Sequence, residues 1–248
     1  MLSLSKETLQ VLKNFSAINQ NVYISKDADY IATVNQQETV FATYSALTER
    51  FPTEIRLYDL NEFLSIISLN GNENAVLDFP DDRRMTITSS NNKYRCGYYF
   101  ASIDVIKFPK KQINMPDPFV SFMIDYHEID MLQKAARTLT KQAIQFSYDA
   151  SVSKTNLDVR VFDPQTNGND FSTSVDLSNM DQESTEDKFN FVFSLKTLSA
   201  LMPNESWQVQ FAAKGSAKIA RFSSVNGSTY GENGLSYYAG VDSTSSIG

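Results

Sequence analysis

Apolar positions along the chain recur with two different periods, and each change of period marks an element. In the opening segment Leu9, Leu12, Phe15 and Ile18 return every three residues behind Ser5, which predicts a helix with Ser5 as its N-cap. From Asn21 to Tyr44 the pattern shifts to short runs of Val, Ile, Tyr and Thr, interrupted at Lys26-Asp27 and at Asn35-Gln36-Gln37. Antiparallel strands joined by turns have this texture. Glu54–Tyr58 alternates as a strand and leads into Asp59, the predicted cap of a second helix. That helix carries Leu60, Phe63, Leu64 and Ile67 on its buried side and stops at Asn70-Gly71. Three further strands are predicted near Ala75–Phe79, Met85–Thr88 and Tyr94–Phe100.

Between Lys107 and Pro118 the chain reads KFPKKQINMPDP, and Pro109, Pro116 and Pro118 forbid a continuous helix or a central strand. Residues 108–118 are therefore expected to connect an N-terminal domain over 1–107 with a C-terminal domain over 119–248. Beyond the connector the pattern repeats. A strand at Phe119–Ile124 precedes a helix from Glu128 to Thr140, with Ile129, Leu132, Ala136 and Leu139 inward. Strands are expected at Gln142–Asp149, Leu157–Phe162, Phe171–Leu177 and Phe189–Phe193. Ser194 then caps a short helix bearing Leu195, Leu198 and Leu201 that ends at Pro203. Strands at Trp207–Ala212, Lys218–Ser223 and Leu235–Val241 follow. The segments EIRLYDLNEFLSII and FNFVFSLKTLSALM both read strand, cap, then an apolar residue at the first and fourth helical positions. Such an internal repeat points to a duplicated α+β domain.

Composition narrows the function. The 248 residues carry 22 Lys and Arg against 29 Asp and Glu, a formal charge of −7, which argues against a protein whose whole surface clamps nucleic acid. The one cysteine, Cys96, can form neither an intrachain disulfide nor a thiolate cluster, in keeping with a reducing cytoplasm. Lys6, Glu7 and Lys13 interrupt any secretory signal, and no stretch reaches the ~18 apolar residues of a membrane span.

Catalytic chemistry has little material. His127 is the only histidine and lacks the partner of a zinc-binding pair, so an exposed or capping role is expected. No phosphate-binding loop or dinucleotide fingerprint occurs. Cys96 is expected to be a buried inert thiol, Trp207 a core residue and the acidic run Asp181–Asp187 a solvated loop. No catalytic residue, metal site or cofactor is expected.

Charge on the helices is ordered. Lys6, Gln10, Lys13, Asn14 and Ala17 share a face of the first helix away from Leu9, Leu12 and Phe15. In the third helix Lys134, Arg137 and Lys141 follow at steps of three and four, and the fourth adds Lys196. A single lysine stripe is ordinary solvated surface; its recurrence in corresponding elements of two halves suggests a shared task. The second helix breaks the pattern with Asp59 and Glu62, read as cap and as complement to the N-terminal dipole.

Three segments carry a family likeness. LSKETLQVLKNFSAIN at Leu4–Asn19, IRLYDLNEFLSIISL at Ile55–Leu69 and WQVQFAAKGSAKIARF at Trp207–Phe222 resemble, in order, segments of the DNA polymerase sliding clamps of T4-type bacteriophages. Ser151–Asp187 departs from that pattern, and no loop residue there is carried over. The resemblance implies duplicated clamp domains in a homotrimeric ring, with antiparallel sheets outside and helices lining a central channel that holds duplex DNA. It also implies an ATP-dependent clamp loader, a polymerase that docks through a C-terminal peptide, action in the cytoplasm of an infected bacterium, and no catalysis. Under this reading Lys6, Lys13, Lys134, Arg137, Lys141 and Lys196 face the DNA. From their own character, Phe108, Pro109 and Phe119 are candidates to border a peptide pocket and Tyr98, Tyr99 and Phe100 to meet the next subunit, with connector or core packing an equal alternative for each group. The competing reading is a β-rich virion or tail protein whose basic faces are merely solvated; a carbohydrate-binding module has no supporting spacing.

Overall fold

The computed structural model describes residues 1–166, 168–177 and 184–248; Asp181, Gln182 and Glu183 of the acidic run lie outside them. The chain divides into two units, Met1–Gln112 with Thr229–Leu235, and Ile113–Ser228 with Ser236–Gly248.

The first unit opens with α1 (Lys6–Ile18), where Ser5 Oγ accepts the Thr8 N–H as expected of an N-cap. Strands β1 (Val22–Ile24), β2 (Ile31–Val34), β3 (Val40–Tyr44) and β4 (Ile55–Leu57) form antiparallel pairs in the order β4-β1-β2-β3. Asp59 then caps α2 (Leu60–Leu69) through the Asn61 and Glu62 N–H groups. A second sheet follows from β5 (Val76–Asp78), β6 (Arg84–Thr88) and β7 (Arg95–Tyr99), with β6 central. Leu2 pairs with Leu77 on the outer side of β5 and covers that edge.

The first helix turns a somewhat different face inward than simple hydropathy predicts, whereas the second keeps its predicted face apart from Leu64. In α1 the buried residues are Thr8, Val11, Leu12 and Phe15, whereas Leu9 and Ile18 are half-buried; in α2 Leu64 is half-buried beside the buried Leu60, Phe63 and Ile67. Leu9 and Leu64 instead line a groove between the two helices. Thr8 can go inside because Glu49 Oε2 accepts its hydroxyl proton at 3.0 Å. The returning segment 229–235 completes this unit: the Tyr230 ring meets Tyr44 edge-on at 6.1 Å, and the Ser45 N–H donates to the Gly234 carbonyl at 2.8 Å. Gly234 is obligatory there, since a Cβ would lie 1.9 Å from the Tyr230 carbonyl oxygen.

The second unit begins with β8 (Pro118–Ile124) and α3 (Tyr126–Thr138). Asp125 and Glu128 form a reciprocal capping box, which starts α3 two residues earlier than the apolar spacing indicates. Strands β9 (Ala143–Asp149), β10 (Asn156–Phe162), β11 (Phe171–Asp176) and β12 (Lys188–Ser194) precede α4 (Leu195–Ala200), and β13 (Trp207–Lys214), β14 (Ala217–Ser224), β15 (Leu235–Gly240) and β16 (Ser246–Ile247) follow. Strand orders are β15-β14-β13-β8 and β11-β10-β9-β12-β16. Both echoed segments thus form strand, cap and helix, β4 to α2 and β12 to α4.

Inward-facing aromatics fill the second core. Phe191 stacks on Phe211 at 4.6 Å, Phe122 and Phe146 meet Phe211 edge-on at 5.5 and 5.6 Å, and Trp207 meets Tyr237 at 5.3 Å. Each such pair contributes about 0.5–1.5 kcal/mol beyond the area it buries. Trp207 is a core residue as expected. Cys96 is half-exposed rather than buried, because β7 is the last strand of its sheet.

Candidate nucleic-acid interface and partner surfaces

Position and charge of α1 are set from outside the helix. Glu49 is only 4% exposed, and its carboxylate accepts the Ser5 N–H at 2.6 Å and the Thr8 hydroxyl at 3.0 Å. Burial pushes its pKa up, but the hydrogen bonds from Ser5 and Thr8 outweigh burial and hold it below the usual glutamate value. A carboxylate there also meets the positive end of the helix dipole. Sequence reading missed Glu49, whose partner Thr8 lies 41 residues away.

With Thr8, Val11, Leu12 and Phe15 held inward, Lys6, Gln10 and Lys13 are left exposed. Lys6, Leu9, Gln10 and Lys13 form one wall of a groove of about 420 Å³, and Asn61, Leu64, Ser65 and Ser68 of α2 form the other. The α2 wall supplies amide and hydroxyl groups in place of cations. Glu62 is exposed but does not line this groove. It approaches Tyr98 instead: burial pushes the Tyr98 phenol up to about 12, with the Glu62 and Asp59 carboxylates adding to the rise.

In the second unit Lys134 and Arg137 are exposed on α3 and Lys196 on the first turn of α4. Gln133 Nε2 donates to the Leu198 carbonyl at 2.9 Å and ties the two helices together. Lys134 is engaged with Asp130 one turn earlier, at 2.6 Å. Among the described residues Lys6, Lys13, Arg137 and Lys196 have no ion pair. Lys141 departs from the helical stripe. The helix ends at Thr138, Thr140 takes φ 55°, and the Lys141 N–H closes onto the Ala136 carbonyl. Lys141 is thereby turned toward Asp163, whose pKa is lowered chiefly by hydrogen bonds from Gln165 and Thr166, with a smaller contribution from Lys141.

The partner candidates separate by burial. Phe108 stacks on Tyr23 at 4.5 Å and 25°. With Pro109 it lines a cleft of about 630 Å³ whose other walls include Val34, Phe41, Val105 and Ile106. Phe119 does not join them: it is buried against Phe189 and Phe191 at 5.4 and 5.7 Å. Tyr98 is likewise buried, edge-on to Phe63 at 5.7 Å, whereas Tyr99 is 71% exposed and Phe100 half-exposed. Alternation in β7 explains this split, because successive side chains point to opposite faces. Strands β7 and β11 each end a sheet, so each has an edge unpaired within the described chain.

His127 is exposed, as expected, and its backbone N–H donates to Asp125. Among the described residues no three His, Cys, Asp or Glu gather where they could hold a metal ion, and no helix is long and apolar enough to cross a membrane.

Comparison with known proteins gives a consistent family. Residues 5–104 match the model of the DNA polymerase processivity factors. The sliding clamp of Vibrio phage KVP40 is 25% identical over 89% of this chain and 94% of that protein. The sliding clamp of Enterobacteria phage T4 is also 25% identical, over 89% of this chain and 92% of that protein. Among solved structures, A. fulgidus PCNA with the C-terminal region of FEN-1 bound superposes with a TM-score of 0.65 at 10% identity, covering 97% of this chain and 96% of that one. At that identity the likeness is one of fold.

Proposed function

Because the chain belongs to the T4-type phage sliding clamps, the DNA polymerase processivity factors, we propose that it encircles duplex DNA as a homotrimer and tethers the replicative polymerase to it. The observation that carries this reading is the distribution of charge. In a protein of net charge −7, the cations Lys6, Lys13, Arg137 and Lys196 stand exposed on helices without an ion pair among the described residues. Lys134, on the same face of α3, completes the set.

These side chains suit weak contacts to phosphates. Phosphate contacts position a protein without reading sequence, whereas hydrogen bonds to base edges would hold a ring at one site. Lysine is a flexible point charge, and most of the set is lysine. Direct affinity is then slight, falling with salt at a log–log slope of about −0.9 per phosphate neutralised. Encirclement supplies retention in its place and raises the effective concentration of polymerase at the primer end. The acidic remainder of the surface repels DNA from places where contact would be unproductive.

Two surfaces serve assembly and partners. The unpaired edges of β7, with exposed Tyr99, and of β11 are suited to join copies, since an open edge offers unsatisfied N–H and C=O groups. The cleft floored by Phe41, Val105 and Phe108 is suited to the polymerase's C-terminal peptide. An ATP-dependent loader opens the ring, the protein itself catalyses nothing, and it acts in the cytoplasm of the infected bacterium. The virion-protein alternative has no observation in its favour.

Retention on circular DNA after loading with loader and ATP tests the proposal. Linearising the circle should release the protein within the time needed to slide off the ends. Equal retention on circle and linear DNA would show that no topological link exists.

A further inference from the structure

The cleft beside the connector is crossed by an ion pair that belongs to both its walls. Lys107, the first residue of KFPKKQ, donates from Nζ to the Gln36 carbonyl at 2.6 Å and lies 3.1 Å from Glu38 Oε1. Gln36 and Glu38 belong to the turn between β2 and β3, so one lysine ties the connector to that turn. Both Lys107 and Glu38 line the cleft, together with Phe41, Val105, Phe108 and Lys110. The Lys107 side chain is 29% exposed and that of Glu38 66% exposed. Its Gln36 hydrogen bond and its partial burial fix Lys107, whereas Glu38 stands mostly in water.

From this asymmetry we infer that Glu38 is a replaceable counterion, and that the cleft takes an extended peptide in which an aromatic or aliphatic anchor is flanked by carboxylates. The inference rests on the peptide-docking role proposed above. The anchor fills the space over Phe41, Val105 and Phe108. A peptide carboxylate takes the place of Glu38 on Lys107, and a second is drawn by Lys110 and Lys111, both exposed and without an ion pair among the described residues. Asp104 also lines the cleft, but from Lys107 onward the chain bears Lys107, Lys110 and Lys111 and no acid before Asp117, so a carboxylate arriving from the connector side meets a run of like cations. Exchanging one exposed carboxylate for another needs little energy, because exposed pairs contribute little on their own. Glu38 keeps Lys107 neutralised while the cleft is empty and competes with the peptide for it.

Two short synthetic peptides with the same aromatic anchor, one flanked by glutamates and the other by glutamines, test this on the intact protein. The glutamate peptide should bind more tightly at low salt, and its advantage should shrink as salt rises. Glu38→Gln removes the competitor and should raise the ratio of glutamate to glutamine peptide affinity by about two- to five-fold. Lys107→Gln should lower that ratio toward the part supplied by Lys110 and Lys111, and adding Lys110→Gln and Lys111→Gln should bring it close to one. An unchanged ratio in Glu38→Gln, or equal binding of the two peptides to wild type, would overturn the counterion role while leaving the cleft as a docking site. Failure of both peptides to bind, together with unaltered polymerase tethering in Phe108→Ala, would overturn the docking reading itself.

Discussion

Removing the Glu49 carboxylate should loosen α1, the helix that carries Lys6 and Lys13. In Glu49→Ala the Ser5 N–H and the Thr8 hydroxyl lose acceptors at 2.6 and 3.0 Å, in a site only 4% exposed. Hydrogen bonds to a charged group contribute about 1.5–3 kcal/mol each, and buried donors left unpaired keep their desolvation cost. The loss at pH 7 should therefore be about 3–5 kcal/mol, a fall of roughly 10 °C in Tm for a chain of this size. Glu49→Gln retains one acceptor but turns an amide NH2 toward donors such as the Thr48 N–H, and should lose about 1–2 kcal/mol. The pH dependence has a definite sign. The folded-state pKa of Glu49 lies below the ordinary value. Its stabilisation is complete above the unfolded value of about 4.3 and disappears as pH falls through the folded pKa. Urea unfolding of wild type and Glu49→Gln should show a gap at pH 7 that narrows below pH 4, and hydrogen exchange in Glu49→Ala should quicken first in α1. A loss below about 1 kcal/mol for the alanine variant, or a gap that widens on acidification, would refute the reasoning.

Reversing charge in both units, Lys13→Glu with Lys134→Glu, should impair loading onto circular DNA without lowering Tm, because both side chains are exposed; unaltered processive synthesis would remove these residues from the DNA face. Arg137→Glu should weaken direct DNA affinity and loading several-fold more than Lys141→Glu, since Arg137 stands on α3 and Lys141 turns toward Asp163; equal effects in a salt titration of DNA binding would contradict that placement. Phe108→Ala removes the stack on Tyr23 and should weaken binding of the polymerase tail peptide about tenfold, a change that calorimetry would resolve.

Element identity was legible wherever period and capping agreed. Ser5, Asp59 and Ser194 each open the helix their position suggested, and the two echoed segments fold alike. Faces were harder. Thr8 is buried in α1 because a distant carboxylate satisfies its hydroxyl, and no scale of residue hydropathy contains that partner. Lys141 extends the basic step of α3 in sequence, but nothing local announces that Thr140 will adopt a left-handed conformation and end the helix geometry there. The two-residue β16 has no periodic signal of its own and exists through its pairing with β12. Phe119 follows a proline-rich connector that suggested exposure, yet it points into a core already rich in phenylalanine. The basic stripes survived better, since a lysine excluded from an apolar face has only the surface left to occupy.

Segment 229–235 gives the order of synthesis a physical consequence. Tyr230 packs on Tyr44 and donates toward Gln10 of α1 at 3.4 Å, so the N-terminal unit receives some of its packing from residues made near the end of the chain. When Gln112 leaves the ribosome that unit still lacks them, and translation at 5–20 residues per second takes roughly 6–25 s more to supply them. During that interval its hydrophobic surface near Tyr44 awaits a cover. A fragment cut at the connector would remain in that unfinished condition permanently.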